Sequence, residues 1–211
     1  MTARVMCGAI GYLFGNFLTG ELVCRVYTGK SAKYLGTSGN PGMANVMAHI
    51  GFVPGLMVLA GDLLKCVLAC LLARALFAVR IGRIAVWYTG LGAVLGHNYP
   101  VWMKFKGGKG VAATCLMVVI FSPLWGFLCN IAGMLVVFAT HYLCLGAVVI
   151  PTLFVIPAFA LYGMEAGCIA LVLAAVMFVR NWKNLRQIRE GTCEKVDVIS
   201  AIKRKFGRKR S

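Results

Sequence analysis

The sequence predicts an all-α polytopic membrane protein with about seven transmembrane helices, the N-terminus outside and the C-terminus cytoplasmic. Three observations predict the class. Hydrophobic residues make up 60% of the 211 and charged residues 13%, against roughly 45–50% and about 25% in soluble domains. Mean hydropathy is +0.83. The apolar runs reach the ~20 residues a helix needs to cross hydrocarbon. They also lack the two-residue alternation of barrel strands, which leaves helices to satisfy the backbone in lipid.

The first helix is predicted over residues 5–24, retained rather than cleaved because no small-x-small site follows its apolar run. A polar, glycine-rich connection then runs from Arg25 to Asn45, with three basic residues and no acidic ones. The second helix spans Phe52 to about Leu76 and carries Asp62 and Lys65 near its middle. Three apart, they can face each other as an ion pair, and intramembrane charges also mark polar sites. Helix three runs from Ile84 to Trp102. The apolar sequence from Val111 to Val179 is too long for fewer than three spans. Breaks at Ser122-Pro123, Thr140-His141-Tyr142 and Gly163 to Gly167 divide it into four segments, the first short. A helical extension then runs to Gly191. Residues 1–192 read as one integral-membrane domain and 193–211 as a basic cytoplasmic tail.

Net charge is +16, with 22 Lys and Arg against 6 Asp and Glu, much of the excess after residue 179. In a membrane protein this reads as a cytoplasmic face beside anionic lipid before it reads as nucleic-acid binding. Parity agrees. Two helices separate the Arg25–Asn45 connection from the basic loop after helix three, and four segments separate that loop from the tail. All three polar stretches therefore share one side, which the positive-inside rule makes cytoplasmic, in a cytoplasmic (inner) membrane. Arg4, Arg74, Arg80 and Arg83 fall on the other side, against the rule. The nine cysteines are scattered singly, with no Cys-x-x-Cys and no metal-ligand spacing, so they read as small buried hydrophobes.

The most informative stretch is Gly96-His97-Asn98-Tyr99-Pro100-Val101-Trp102-Met103-Lys104-Phe105-Lys106-Gly107-Gly108-Lys109-Gly110. Three lysines and three glycines stand in its last seven residues, between two apolar runs. Glycines let backbone N–H groups turn toward one point and lysines add charge around it, which suits a phosphate. It is not a P-loop, because no glycine stands at the required offset. The competing reading is a basic loop that only rests on lipid headgroups. The three stretches pool Ser38, Asn40 and Asn45; Lys104, Lys106 and Lys109; and Asn184 and Arg186. Such groups hold anions. Paired carboxylates and a Ser-His-Asp arrangement are missing. His97 is either a base or a structural hydrogen-bonder. Chemistry here would use an activated donor and positioning.

These residues resemble the bacterial membrane glycerol-3-phosphate acyltransferases that use acyl-phosphate donors (the PlsY type). The resemblance rests on Leu95-Gly96-His97 through Pro100 to Lys106-Gly107-Gly108-Lys109-Gly110-Val111-Ala112, on Thr37 to Asn45, on Asp62-Leu63-Leu64-Lys65, and on Asn184 and Gly191 followed by Glu194. It implies a seven-helix enzyme that moves a fatty acyl group from acyl-phosphate to glycerol-3-phosphate, giving lysophosphatidic acid and phosphate. Cofactor and metal are not implied, nucleic acid is not a partner, and membrane lipid is. Carried over, Ser38, Lys106, Lys109 and Asn184 are the catalytic positions. Asn40, Gly42, Asn45, His97, Lys104, Gly107, Gly108, Gly110 and Arg186 are the phosphate-binding ones, and a substrate phosphate serves as base. The chain departs from the pattern at Ala48 (for Arg), Ala44 (for Thr), Asn181-Trp182 (for His-Arg) and Gln187 (for Arg), and at Ala9 and Gly11 (for Ser and Pro) in the first helix. Arg180 and Arg186 are neighbours able to substitute. The alternative is a divergent paralogue with altered substrate or no catalysis, binding phospholipid or phosphorylated ligands.

Overall fold

A computed structural model describes residues 1–36, 38–193 and 195; Thr37, Glu194 and most of the expected basic tail lie outside them. The described chain is a helical bundle: α1 (Thr2–Gly15), α2 (Thr19–Thr28), α3 (Met43–His49), α4 (Phe52–Ile81), α5 (Ile84–Asn98), α6 (Val111–Phe121), α7 (Pro123–Thr140) and α8 (Leu143–Arg189). Four helical stretches, Thr2–Thr28, Phe52–Ile81, Pro123–Thr140 and Leu143–Arg189, are long and apolar enough to cross a membrane. Large apolar side chains such as Leu64, Leu68 and Leu72 on α4 and Phe127, Leu128 and Leu135 on α7 face outward, where lipid rather than water suits them.

Each predicted break is present, with its own cause. Ser122 is extended, and Pro123 opens α7 where its missing N–H is no loss. Asn130 Nδ2 reaches back to the Cys115 carbonyl at 3.1 Å, so α6 and α7 are antiparallel. His141 closes α7 in the left-handed region at φ 64°. Gly163, at φ 83° and ψ −179°, bends α8 so sharply that the Phe159 ring lies against Gly167. Eight residues of straight helix would separate those two by about 12 Å.

Helix one differs from expectation. It is broken at Asn16–Leu18 rather than continuous, with Leu18 extended at φ −95° and ψ 97°. The carbonyls freed there are taken from outside the helix. Lys65 Nζ binds the Phe17 carbonyl at 2.7 Å, and Trp102 Nε1 binds that of Asn16 at 2.7 Å. Helix two runs five residues past Leu76, to Ile81. Helix three stops at Asn98, and Val101–Met103 form a 3-10 turn instead of its last residues.

Helices α1 and α5 run side by side in the same direction at close range. Added Cβ atoms at Gly11 or Gly15 would strike the backbone of Thr89 or Ala93, and at Gly92 or Gly96 that of Gly8 or Tyr12. Two small-x-x-x-small faces thus let the backbones meet without side chains between, the usual way to bind helices in lipid. At the far end of the bundle Trp87 stacks on Phe121 (4.6 Å between centroids), with Phe154 and Tyr162 around them. Arg4 pairs there with Glu165, and Tyr162 donates to Ser122 Oγ at 2.8 Å. The opposite end gathers the α1–α2 break, the Lys30–Ile50 connection, the loop after α5 and the end of α8.

Candidate functional site

The loop between α5 and α6 is anchored at its start by the α1–α2 break. Val101 N–H donates to Asn16 Oδ1 at 2.8 Å, and Tyr12 Oη donates to the Tyr99 carbonyl at 2.8 Å. The chain then turns tightly. Lys104 (φ 52°) and Phe105 (φ 59°) are both left-handed, which throws Lys104 and Lys106 outward. Gly107 N–H donates to the Asn98 carbonyl at 3.1 Å and Gly108 N–H to that of His97 at 2.9 Å. These two amides, expected to face a phosphate, instead close the loop on itself.

From the other side comes Arg180, in the last part of α8. Its guanidinium donates to the Gly107 carbonyl at 3.0 Å and to the Gly108 carbonyl at 2.6 and 3.2 Å, and it lies 5.1 Å over the Tyr99 ring. The fork matches two adjacent carbonyls as an ammonium could not.

The free donors are displaced to the next residues. Gly110, left-handed at φ 69°, is the N-cap of α6 and supplies no side chain. The first intrahelical bond there is Thr114 N–H to the Gly110 carbonyl, at 2.9 Å. The N–H groups of Val111, Ala112 and Ala113 therefore have no helical acceptor, and a helix start with open amides attracts anions. Lys109 stands immediately before it, half-buried, with no hydrogen bond or ion pair among the described residues. Burial holds its ammonium below the usual lysine range, and Arg180 and Lys183 add to the effect. Beside Gly110 lies the Asn98 side chain, fully buried, with neither its oxygen nor its nitrogen partnered among the described residues; the buried Thr114 hydroxyl is likewise unpartnered there.

The first connection forms its own cluster. Asn45 Nδ2 clamps the Leu35 and Asn40 carbonyls at 3.0 and 2.9 Å. Asn40 Oδ1 accepts from Gly42 N–H at 3.2 Å, and Ser38 Oγ, exposed, accepts from Asn40 N–H at 3.3 Å. Asn45, expected at a phosphate, thus holds the loop together. No hydrogen bond or ion pair among the described residues joins Ser38, Asn40 or Asn45 to the three lysines. Both clusters sit at the same end because the Pro41 carbonyl packs on Gly20, next to the α1–α2 break. The connection is also held by Glu21, whose buried carboxylate accepts from Arg25 Nε (2.7 Å), Ser31 Oγ (3.0 Å) and Ala32 N–H (2.8 Å).

Among the tail residues, Asn184 is half-buried at this end. Arg186 is exposed and paired with Glu190 at 2.8 Å, a partner the phosphate role did not anticipate. Asn181 is buried, its amide donating to the Met177 carbonyl at 2.9 Å, and Ala48 is exposed. Of the two nearby arginines, Arg180 reaches the loop.

Residues 5–191 match the sequence profile of the glycerol-3-phosphate acyltransferases. The chain belongs to this family. Its relatives include glycerol-3-phosphate acyltransferase 1 of Lactobacillus acidophilus, 33% identical across 97% of this chain and 98% of that one. The enzyme of the same name from Lactobacillus johnsonii is 36% identical across 94% and 95%. Among solved structures, the integral membrane glycerol 3-phosphate acyltransferase PlsY (YgiH) in its glycerol 3-phosphate form superposes with a TM-score of 0.82 at 27% identity, covering 94% of this chain and 98% of that one. Its lysophosphatidic acid form gives 0.79. The matched residues, 5–191, take in the lysine-glycine loop, the Thr37–Asn45 connection and the end of α8.

Three features escaped the residue-by-residue reading. Arg180 was noted only as a substitute. Asn98 lay inside the quoted stretch without a role, and Glu21 was passed over although it is one of only 6 acidic residues and stands four before Arg25. A lone acid at the end of an apolar run is the signal that could have found it.

Proposed function

We propose that the protein transfers a fatty acyl group from acyl-phosphate to a hydroxyl of glycerol-3-phosphate, giving lysophosphatidic acid and inorganic phosphate. The observation that carries this reading is the open N-terminus of α6, preceded by a half-buried Lys109 without an ion-pair partner among the described residues. Lys109, Lys106 and the amides from Val111 onward hold phosphate. Ser38, Asn40 and Asn184 orient it, with Lys104 at the rim. The acceptor oxygen attacks the acyl carbonyl carbon, and the bond from that carbon to the phosphate oxygen breaks. The leaving phosphate departs with the electron pair, and a phosphate oxygen takes the hydroxyl proton. No protein base is required, and His97 beside the loop is buried. The cations stabilise charge on the leaving group, where fixed dipoles act best.

The site end carries Arg25, Lys30, Lys33, Lys104, Lys106, Lys109, Arg180, Lys183, Arg186 and Arg189, against Arg4, Arg74, Arg80 and Arg83 at the far end. That bias supports a cytoplasmic site in the cytoplasmic membrane, an external N-terminus and seven spans, one of them bent out of α8 at Gly163. Residues 1–192 then form one domain.

Purified protein given acyl-phosphate and glycerol-3-phosphate should release phosphate only with both present, and Lys109→Ala should abolish release. Release no greater than in the Lys109→Ala control would overturn the acyltransferase reading. Ala48 and the inward-bonded Asn181 favour one alternative, a paralogue that binds phosphorylated ligands without turnover, and glycerol-3-phosphate binding with no release would identify it.

A further inference from the structure

A buried polar network lies behind the loop. Asp62, Lys65 and His97 are each 5% exposed or less. Lys65 Nζ forms an ion pair with Asp62 Oδ1 on α4 at 2.8 Å and stands at hydrogen-bond distance from the Phe17 carbonyl at the α1–α2 break (2.7 Å) and from His97 Nδ1 on α5 (2.9 Å), with Asp62 Oδ1 at 3.6 Å from the same ring nitrogen. The Gly15 carbonyl is farther off, at 3.4 Å. A charged ammonium has no acceptor, so the 2.9 Å contact, shorter than the 3.6 Å to Asp62 Oδ1, makes His97 Nδ1 the acceptor and puts the ring hydrogen on Nε2.

The Nε2 edge of that ring is pressed on Gly108, where an added Cβ would overlap it. The His97 carbonyl also accepts the Gly108 amide. Gly108 is thus held by His97 through ring and carbonyl and by Arg180 through two donors, and the ring is held by Lys65. A pairing of Asp62 with Lys65 would suffice to make two charges tolerable in the bundle. It would not require Lys65 to turn its remaining hydrogens on a histidine and on the broken end of α1.

We infer that Lys65 is a positioning residue for the lysine-glycine loop: by donating to His97 Nδ1 it fixes the tautomer and tilt of the ring on which the Gly107–Gly108 turn rests, and so sets where Lys106, Lys109 and the α6 amides stand. The inference builds on the proposed acyltransferase site. Its logic is that of histidines in metal sites, whose outer partner fixes tautomer and orientation and whose loss weakens binding ~10–100-fold.

The test separates the two readings, because it needs no turnover. The chain has 3 histidines, so nitrogen NMR of 15N-histidine protein can follow the ring of His97, assigned by His49→Gln and His141→Gln. Calorimetry with glycerol-3-phosphate and with inorganic phosphate measures the cradle. The variants are Lys65→Met and the charge-balanced Asp62→Asn/Lys65→Met pair, which leaves no unpaired buried charge. The parent should show the Nε2–H tautomer. Both variants should lose it and bind either phosphate probe about tenfold or more weakly, while the double variant melts within a few degrees of the parent. An Nδ1–H ring in the parent, an unchanged ring in the variants, or phosphate affinity within threefold of the parent would overturn the inference. A double variant that melts far lower would also overturn it, by giving Lys65 a purely structural role. A parent that binds phosphate through an Nε2–H ring but turns nothing over would count against the acyltransferase reading alone.

Discussion

Replacing Arg180 probes how far the loop depends on the arginine opposite it. Arg180→Ala removes three donor contacts of 2.6–3.2 Å and leaves the Gly107 and Gly108 carbonyls without that partner. Hydrogen bonds to a charged group contribute about 1.5–3 kcal/mol each. The contacts share one guanidinium and are not additive, so the combined effect is about 2–4 kcal/mol. Stacking on Tyr99 adds about 0.5–1 kcal/mol at most. If the loop must be ordered in the transition state, kcat/KM falls by roughly 30- to 1,000-fold. Arg180→Lys keeps the charge but can serve one carbonyl at a time, so its loss should be intermediate. The assay is phosphate release at varied glycerol-3-phosphate, with a melting curve to establish that both variants are folded. Folded variants with kcat/KM within threefold of the parent would refute the idea that Arg180 braces the loop.

Three further outcomes follow from the same geometry. Lys109 titrates below the ordinary lysine range because burial penalises its charged form. The alkaline limb of kcat/KM, which reports the free enzyme, should therefore fall before an exposed lysine of pKa about 10.4 would lose its proton, and Lys109→Arg should move that limb upward. The sign for stability is opposite: the fold disfavours the charged lysine, so that penalty lessens as pH rises through the depressed pKa, and Lys109→Met should raise the melting temperature while removing turnover. Gly108→Ala forces a methyl group into the His97 ring; overpacking of about 1–3 kcal/mol predicts a roughly 5- to 150-fold fall in kcat/KM, read in the same assay. Glu21→Ala strands the buried Ala32 N–H and frees Ser31. A loss of about 2–3 kcal/mol should lower the melting temperature by several degrees, with Glu21→Gln intermediate.

The helix breaks were legible because their causes are local. Pro123, the Thr140–Tyr142 turn and Gly163 act through their own backbones, and any reader of the sequence meets them in place. The break at Asn16–Leu18 was not legible, because its partner Lys65 lies 48 residues away from Phe17. The lysine-glycine loop stands out as a candidate anion site from composition. Which of its amides stay open does not, since that depends on the carbonyls of His97 and Asn98 folding back on Gly108 and Gly107. Arg180 and Arg186 look equivalent in sequence. Their places on α8 decide whether a guanidinium meets the loop or a glutamate on its own helix.

The interruption of the first helix has a consequence for how the two reactants would meet. The break, Lys65 and the loop stand at one level, and Lys65 is 13 residues along α4 from Phe52, about 20 Å at 1.5 Å per residue. Helix α6, which begins at that level, has only 11 residues and needs about 16 Å to reach the far end. The loop thus stands partway along α4, with the first half of that helix extending beyond it. Under the proposed orientation, a water-borne acceptor would approach from the cytoplasmic side, while a donor with a greasy tail could keep that tail in the bilayer and pass only its headgroup between helices. A site at that depth would bring two solvents to a common boundary inside one molecule, so neither reactant would have to leave its own.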